Sequence, residues 1–406
     1  MIYLAVFILL IIFTYRYDYC CKTKWKAASI FAVLLLFILI AGLRYRIGTD
    51  SVRYETYFEK INPVFSLSES DFQNTRYAPL YIFLTSLVKT FTSDFMIFQF
   101  LHAGIVVGVV GWFIRKNTEK VFFALLLFFI FLYLTLLTEV LRESLAVCVF
   151  LLSWRYYCRR NWLVWYGMSV IAILFHTSAV MMLVLPLCCV PGVRNIFVFG
   201  LRTIPVCIVL ILVVYAIQKM FFQYIQLLAI SENISERAEV YSKTDLAGTT
   251  VNMVGVLGQI VRYIAYPVIA LYFLKKDNNF KSPNPGVKFS DVELMVMVGI
   301  FISIVSIMIT IFSRYQNYFF IFAILLISDF AFSKISIGFR KMRLNFLYWM
   351  LLFTPLIGLQ IYGGYFSNAN KSGTLKTYMA YYPYYSRIDM NRDANREKLL
   401  RYNRSY

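Results

Sequence analysis

Clusters of polar residues break an otherwise apolar chain, and their residue types suit the handling of an anionic ligand. The first holds Arg44, Arg46, Asp50, Arg53 and Tyr54, directly after a long apolar run. If Thr49 caps a helix from Asp50, then Asp50, Arg53, Tyr54 and Tyr57 share one face. Gly48 permits the backbone turn that separates Arg46 from that helix. Arginine offers phosphate a rigid, permanently charged donor fork. Asp50 suits orienting an arginine or taking a proton from a sugar hydroxyl. The competing structural reading is a snorkelling interfacial patch with an Asp–Arg ion pair.

The second cluster is Thr138 to Ser144, where Glu139, Arg142, Glu143 and Ala146 fall on one helical face. Charges entering a span are costly and by default functional; an ordinary helix-end anchor suits Glu139 better than Arg142 or Glu143. His176 stands at a junction between two apolar runs. The chain has 2 histidines, and the other, His102, sits mid-span beside no charge. His176 is therefore the better candidate for proton transfer, set against a hydrogen-bonded packing role. Arg314, followed by Tyr315, lies between two more apolar runs and either snorkels or points into a polar cavity. Tyr378 to Tyr385, including Tyr382 and Tyr385, offers aromatic faces for sugar stacking or for an interfacial belt. Arg76 joins the substrate-binding candidates from the first long polar stretch.

These groups need a frame, and composition supplies one. The chain is 60% hydrophobic, 18% aromatic and 15% charged, with a mean hydropathy of +0.67. Apolar runs near 20 residues recur along it, the pattern of an all-α polytopic membrane protein rather than a β-barrel. The spans read as Met1 to Tyr15, Ala27 to Leu43, Phe95 to Ile114, Val121 to Leu137, Glu139 to Tyr157, Trp162 to Phe175, Ser178 to Val190, Phe197 to Ile217, Val251 to Leu274, Val292 to Ile311, Tyr315 to Phe332 and Asn345 to Tyr362. That is about twelve crossings. The first reads as a retained span, having neither a basic leader nor a small-residue cleavage site.

Pro79 to Phe91 reaches only about 20 Å at ~1.5 Å per residue, short of a ~30 Å core. The basic connections Arg16 to Lys26, Arg115 to Lys120, Arg155 to Arg160, Lys275 to Lys288 and Lys334 to Arg343 share one side only if this segment does not cross. It is therefore expected to be a short re-entrant helix shielded by protein; a thirteenth span is the alternative. With the basic loops cytoplasmic, loops 44–78 and 218–250, the turns near Thr138 and Ser313, His176 and both termini face outside. The chain divides into one transmembrane domain, 1–362, and a polar, Tyr-rich, basic tail, 363–406. The basic residues of that tail, Arg387 to Arg404, argue for the opposite side, although long tails follow the charge rule poorly.

The net charge of +19 fits positive-inside loops and arginines at lipid phosphates better than nucleic-acid binding. The 7 scattered cysteines form neither a zinc motif nor a disulfide framework. Walker A, Asp-x-Asp and HExxH motifs are absent from the sequence, which argues against an ATPase, a metal-dependent nucleotide-sugar transferase and a zinc protease.

Read in order, these pieces resemble the EpsG family of bacterial exopolysaccharide polymerases, itself similar to Wzy-type O-antigen polymerases. The matching residues are Arg44-Tyr-Arg-Ile-Gly-Thr-Asp50 with Tyr54, Pro79-Leu-Tyr, Arg142-Glu-Ser-Leu-Ala146, Phe175-His-Thr-Ser-Ala179, Arg314, and Tyr382-Pro-Tyr-Tyr385. One departure is Ala78, where the family often has Glu before the Pro. Asp50, Glu143, Asp71 or Glu69 would have to compensate if that Glu does chemistry.

The resemblance implies a GT-C-like glycosyltransferase in the bacterial cytoplasmic membrane, with its active site facing outside. It would join undecaprenyl-diphosphate-linked oligosaccharide units without metal or cofactor, in contact with membrane lipid and with a chain-length regulator protein as partner. Arg142 and Arg314 would then clamp the diphosphate with help from Arg46. Asp50 would be the base, with His176 the alternative. Arg44, Arg53, Tyr54, Arg76, Glu143, Tyr315, Tyr382 and Tyr385 would bind substrate. Rival readings are an O-antigen-ligase-like enzyme, a membrane acyltransferase using His176, and a lipid-linked sugar flippase, which should show internal pseudo-repeats.

Overall fold

The computed structural model describes residues 2–73, 77–195, 253–276, 286–308, 312–332, 345–368 and 374–404. Arg76, the expected span 197–217 and the loop 218–250 lie outside them. Among the described residues the chain is helical, and its only extended pairings are isolated bridges at Arg44–Ser386 and Asn368–Lys376. Ile2–Tyr19, Phe95–Asn117, Gly255–Lys275 and Phe289–Ile307 are long and apolar enough to cross a membrane. Shorter apolar helices, including Lys26–Gly42, Val121–Tyr133 and Trp162–Phe175, pack among them. This is the architecture of an all-helical polytopic membrane protein.

Local chemistry sets where the helices start. The Asp94 carboxylate accepts the Met96 N–H at 2.9 Å and caps Phe95–Asn117. Asn161 likewise caps Trp162–Phe175. Pro79 opens Pro79–Phe91, where its missing N–H costs nothing.

The helices run alternately between two ends. Lys26–Gly42 lies antiparallel to Phe95–Asn117, with Gly42 facing Phe100 and Gly111 facing Leu34. Phe289–Met308 lies antiparallel to Ser313–Ala331, with Gly299 against Phe319 and the Ser306 hydroxyl 2.6 Å from the Gln316 amide. Among the described residues, one end collects basic connections and their acidic partners. Asp18 accepts the Phe123 N–H at 2.8 Å and lies 3.6 Å from Lys26. Thr118 donates to Asp329 at 2.6 Å, and Arg160 pairs with Asp291 at 2.8 Å.

The opposite end collects the candidate residues. Here Pro79–Phe91 lies along the polar helix Ser51–Lys60 and the turn after it. Tyr81, in its first turn, packs on Tyr54 and Tyr57. Near its other end, the Ser86 hydroxyl donates to the Asn62 carbonyl at 2.5 Å, Thr90 accepts the Val64 N–H at 3.0 Å, and Lys89 sits over the Phe58 ring. Phe58 also packs on Phe95 and Phe98, which open the next helix. The short helix thus begins and finishes beside the same polar segment, and the chain enters Phe95–Asn117 from the end at which Lys26–Gly42 left it.

The tail packs onto this end as well. Gly48 donates to the Ala380 carbonyl at 3.0 Å, Tyr45 to Tyr385 at 2.9 Å, and Arg387 returns to Leu43 at 2.7 Å. Tyr3, near the N-terminus, meets Tyr384 edge to face. The tail's basic character has a local explanation: Arg387 pairs with Glu55 (2.5 Å) and Asp94 (3.0 Å), while Arg396 donates to the Met379 and Pro383 carbonyls.

Candidate functional site

The wall of the site is built on Glu139. The π-helical turns Phe129–Tyr133 and Thr135–Glu139 carry this residue to the end face, and Val140 breaks the helix before Leu141–Cys158 begins. Glu139 accepts the Thr49 N–H at 2.9 Å and also the Thr49 hydroxyl. Its side chain is hydrogen-bonded to the Tyr381 hydroxyl, and its backbone carbonyl accepts Tyr54 Oη–H at 3.2 Å. One carboxylate thus ties the first loop and the tail to a membrane helix.

Thr49 is therefore not the helix cap expected from sequence. Asp50 occupies the cap position without a side-chain cap bond, because Thr49 is drawn to a carboxylate 90 residues away. Gly48 has φ +100°, and a Cβ there would lie 2.8 Å from Thr138 Cβ. Both the conformation and the close approach call for glycine.

Beside this wall lies a charged group drawn from distant helices. Arg142 stacks over the Tyr77 ring at 4.6 Å and engages the Tyr54 hydroxyl. Buried Glu143 accepts the Asn317 amide at 2.7 Å. Exposed Arg314 acts electrostatically on both Glu143 and His176, as Arg142 does. Tyr315 also lies within electrostatic reach of Glu143. His176 accepts at Nδ1 from the Ser178 N–H (3.2 Å) and stands 2.6 Å from the Ser178 hydroxyl, which is 2.9 Å from Tyr318 Oη. Two guanidiniums within electrostatic reach of one carboxylate leave net positive charge, the electrostatics of an anion site.

The remaining candidates fall elsewhere on the same end. Asp50 and Arg53 form an exposed ion pair at 3.2 Å. Tyr54 is buried between Glu139 and the Tyr77–Tyr81 rings. Arg46 is held by Glu397 of the tail, with Nε–Oε1 2.9 Å and Nη2–Oε2 3.1 Å. That pairing answers the expectation that Arg46 faces a diphosphate: its fork is already filled by a carboxylate. Arg44 is 2% exposed and donates to the Ala41 carbonyl, so burial removes it from the ligand-facing surface. Tyr382 is exposed, whereas Tyr385 lies under the Arg396 guanidinium. Asp71 and Glu69 serve local contacts with Ser68, Asn62 and Gln73. Hydrogen bonds from the Ser68 N–H and hydroxyl hold the Asp71 carboxyl below its usual range.

The Arg46–Glu397 pair yields a test. Its members are partly exposed, so Glu397→Ala is expected to cost only about 0–1 kcal/mol of stability. It should nevertheless loosen the tail, seen as faster tryptic cleavage within residues 374–404. Unchanged cleavage would show that the pair does not hold the tail down.

A model of the EpsG family matches residues 27–386, most of the chain. The chain belongs to the EpsG family. This is a family of Wzy-like exopolysaccharide polymerases, and membership implies a glycosyltransferase-like role in making polysaccharide. No curated protein and no solved structure matches the chain. His102, set aside on sequence grounds, sits between helices, its Nε2 facing the Leu141 carbonyl (3.0 Å) and Ser144 Oγ (2.8 Å).

Arg262 is an EpsG-chain residue that sequence reasoning missed. Its guanidinium lies 4.2 Å from the Tyr263 ring centroid, near Phe131 and Phe320, and donates to Gln360. The signal was present: a lone Arg inside the apolar run Val251 to Leu274, where a charge is expensive. Glu139 was visible as a charged helix end, but its hub role depends on partners that sequence spacing does not connect.

Proposed function

We propose that this chain is a polysaccharide polymerase joining undecaprenyl-diphosphate-linked oligosaccharide units at the outer face of the bacterial cytoplasmic membrane. The observation carrying this reading is the convergence of Arg142, Arg314, Glu143 and His176 at one end of the helices, in a chain of the EpsG family. About twelve crossings, a GT-C-like frame and an outward-facing site belong to the same proposal. The pairing of basic connections at the opposite end supports that orientation.

The acceptor hydroxyl attacks the anomeric carbon of the donor. The bond from that carbon to the diphosphate breaks, and its electron pair stays on the diphosphate oxygen. Arg142 and Arg314 stabilise that growing charge with fixed, preorganised donors. An activated diphosphate needs no ATP, and the two guanidiniums take the charge-neutralising role that a metal has elsewhere. Asp50 takes the acceptor's proton, with its orientation set by Arg53; Tyr315 and exposed Tyr382 offer faces to the glycan.

Purified protein in lipid nanodiscs, incubated with synthetic lipid-diphosphate repeat units, should give a ladder of longer glycans, undiminished by EDTA. A ladder abolished by EDTA would overturn metal independence. A modified but unlengthened glycan formed from an acyl donor would favour the acyltransferase.

A further inference from the structure

We infer that His176 serves the reaction as a hydrogen-bond donor at Nε2, not as its base, and that Ser178 and Tyr318 are positioning residues that fix this state. The inference rests on the polymerase reading for its substrate, but its geometric basis does not.

His176 ends Trp162–Phe175 and its side chain caps the turn Thr177–Val180, accepting the Ser178 backbone N–H at Nδ1, 3.2 Å away. A backbone amide can only donate, so Nδ1 presents its lone pair and the ring proton of the neutral imidazole sits on Nε2. With Nδ1 as the acceptor, the Ser178 hydroxyl, 2.6 Å from Nδ1, is assigned as a second donor to it, and Tyr318 Oη, 2.9 Å from Ser178 Oγ, as donor to the serine oxygen. In this order every proton points toward Nδ1, which leaves the ring proton of the neutral imidazole on Nε2.

An imidazole in this state cannot accept a hydroxyl proton at Nε2. To act as a base it would first have to turn over its tautomer, losing the capping bond. It would then become an imidazolium beside Arg142 and Arg314. As a donor it needs no change: Nε2–H adds a third hydrogen-bonding group to two guanidiniums where the leaving diphosphate gathers charge. The donor's C–O bond electrons go to the diphosphate, and the acceptor's proton goes to the Asp50 carboxylate. His176 neither gains nor loses a proton in the cycle.

Two measurements test this. The chain has 2 histidines, so ¹⁵N-histidine-labelled protein in nanodiscs gives few ring signals, and loss of one set in His176→Gln assigns His176. A protonated Nε2 with an unprotonated, hydrogen-bonded Nδ1 is expected; a protonated Nδ1 at His176 overturns the inference, whether or not the protein polymerises. In the chain-growth assay, His176→Ala should lower turnover about 10²–10³-fold, while His176→Gln, which keeps an N–H donor and no base, should recover at least about tenfold of that loss. Tyr318→Phe should fall between wild type and His176→Ala, and Ser178→Thr should outperform Ser178→Ala. A folded His176→Gln as inactive as His176→Ala, beside an active wild type, refutes the donor role. Wild-type protein that makes no ladder refutes instead the polymerase reading, and with it any donation to a diphosphate.

Discussion

Arg142→Ala and Arg314→Ala, made separately, are each expected to slow chain growth by about 10²–10³-fold. Binding of the lipid-linked unit should change far less. The reasoning is differential: the ground-state diphosphate already has delocalised charge and water, whereas the breaking anomeric bond adds charge that only fixed donors can meet. Arg142 is preorganised by the Tyr77 ring and the Tyr54 hydroxyl, and Glu143 beside it is held by Asn317. Lysine should rescue neither position fully, because its single ammonium lacks the planar fork. The comparison of kcat with KM is the check. A rise in KM with kcat unchanged would mean that the arginines only gather substrate, and two variants with normal growth would remove them from the chemistry.

Gly48→Ala is expected to damage activity and stability together. Its φ of +100° and the 2.8 Å approach to Thr138 Cβ leave no room for a side chain, so about 1–3 kcal/mol of strain must be relieved by moving the loop. The loop carries Thr49, and moving it breaks the Glu139 contacts that join loop, tail and helix. Glu139→Ala should act in the same direction, leaving the Thr49 N–H and the Tyr381 hydroxyl without their acceptor, at about 1–3 kcal/mol per buried group. Glu139→Gln retains one acceptor oxygen and should be milder. Thermal unfolding of the purified protein, read beside chain growth, gives both effects. If Gly48→Ala matches wild type in each, the Glu139 node does not shape the site.

Much of this arrangement could be read from residues before any coordinates. Arg142, Glu143 and Arg314 stand out because charge within an apolar run is costly, and the structure brings them within electrostatic reach of one another and of His176. The shortness of Pro79–Phe91 and the positions of basic loops anticipate that the first loop and these residues share an end. What was not legible has one physical cause: local rules lose to distant partners. Thr49 looked like a cap but is taken by Glu139. Arg46 looked open but is taken by Glu397, 351 residues away. The tail was expected outside against its basic charge, and the charge of Arg387 and Arg396 is met by Glu55, Asp94 and backbone carbonyls at the end that holds the site.

The most direct measurement follows product length and free lipid diphosphate together, with purified protein and a synthetic lipid-diphosphate repeat unit. Glycans should lengthen one repeat at a time, with one lipid diphosphate released for each linkage formed. Substrate that remains one repeat long under conditions where the lipid is bound, or glycan growth without diphosphate release, would contradict the account.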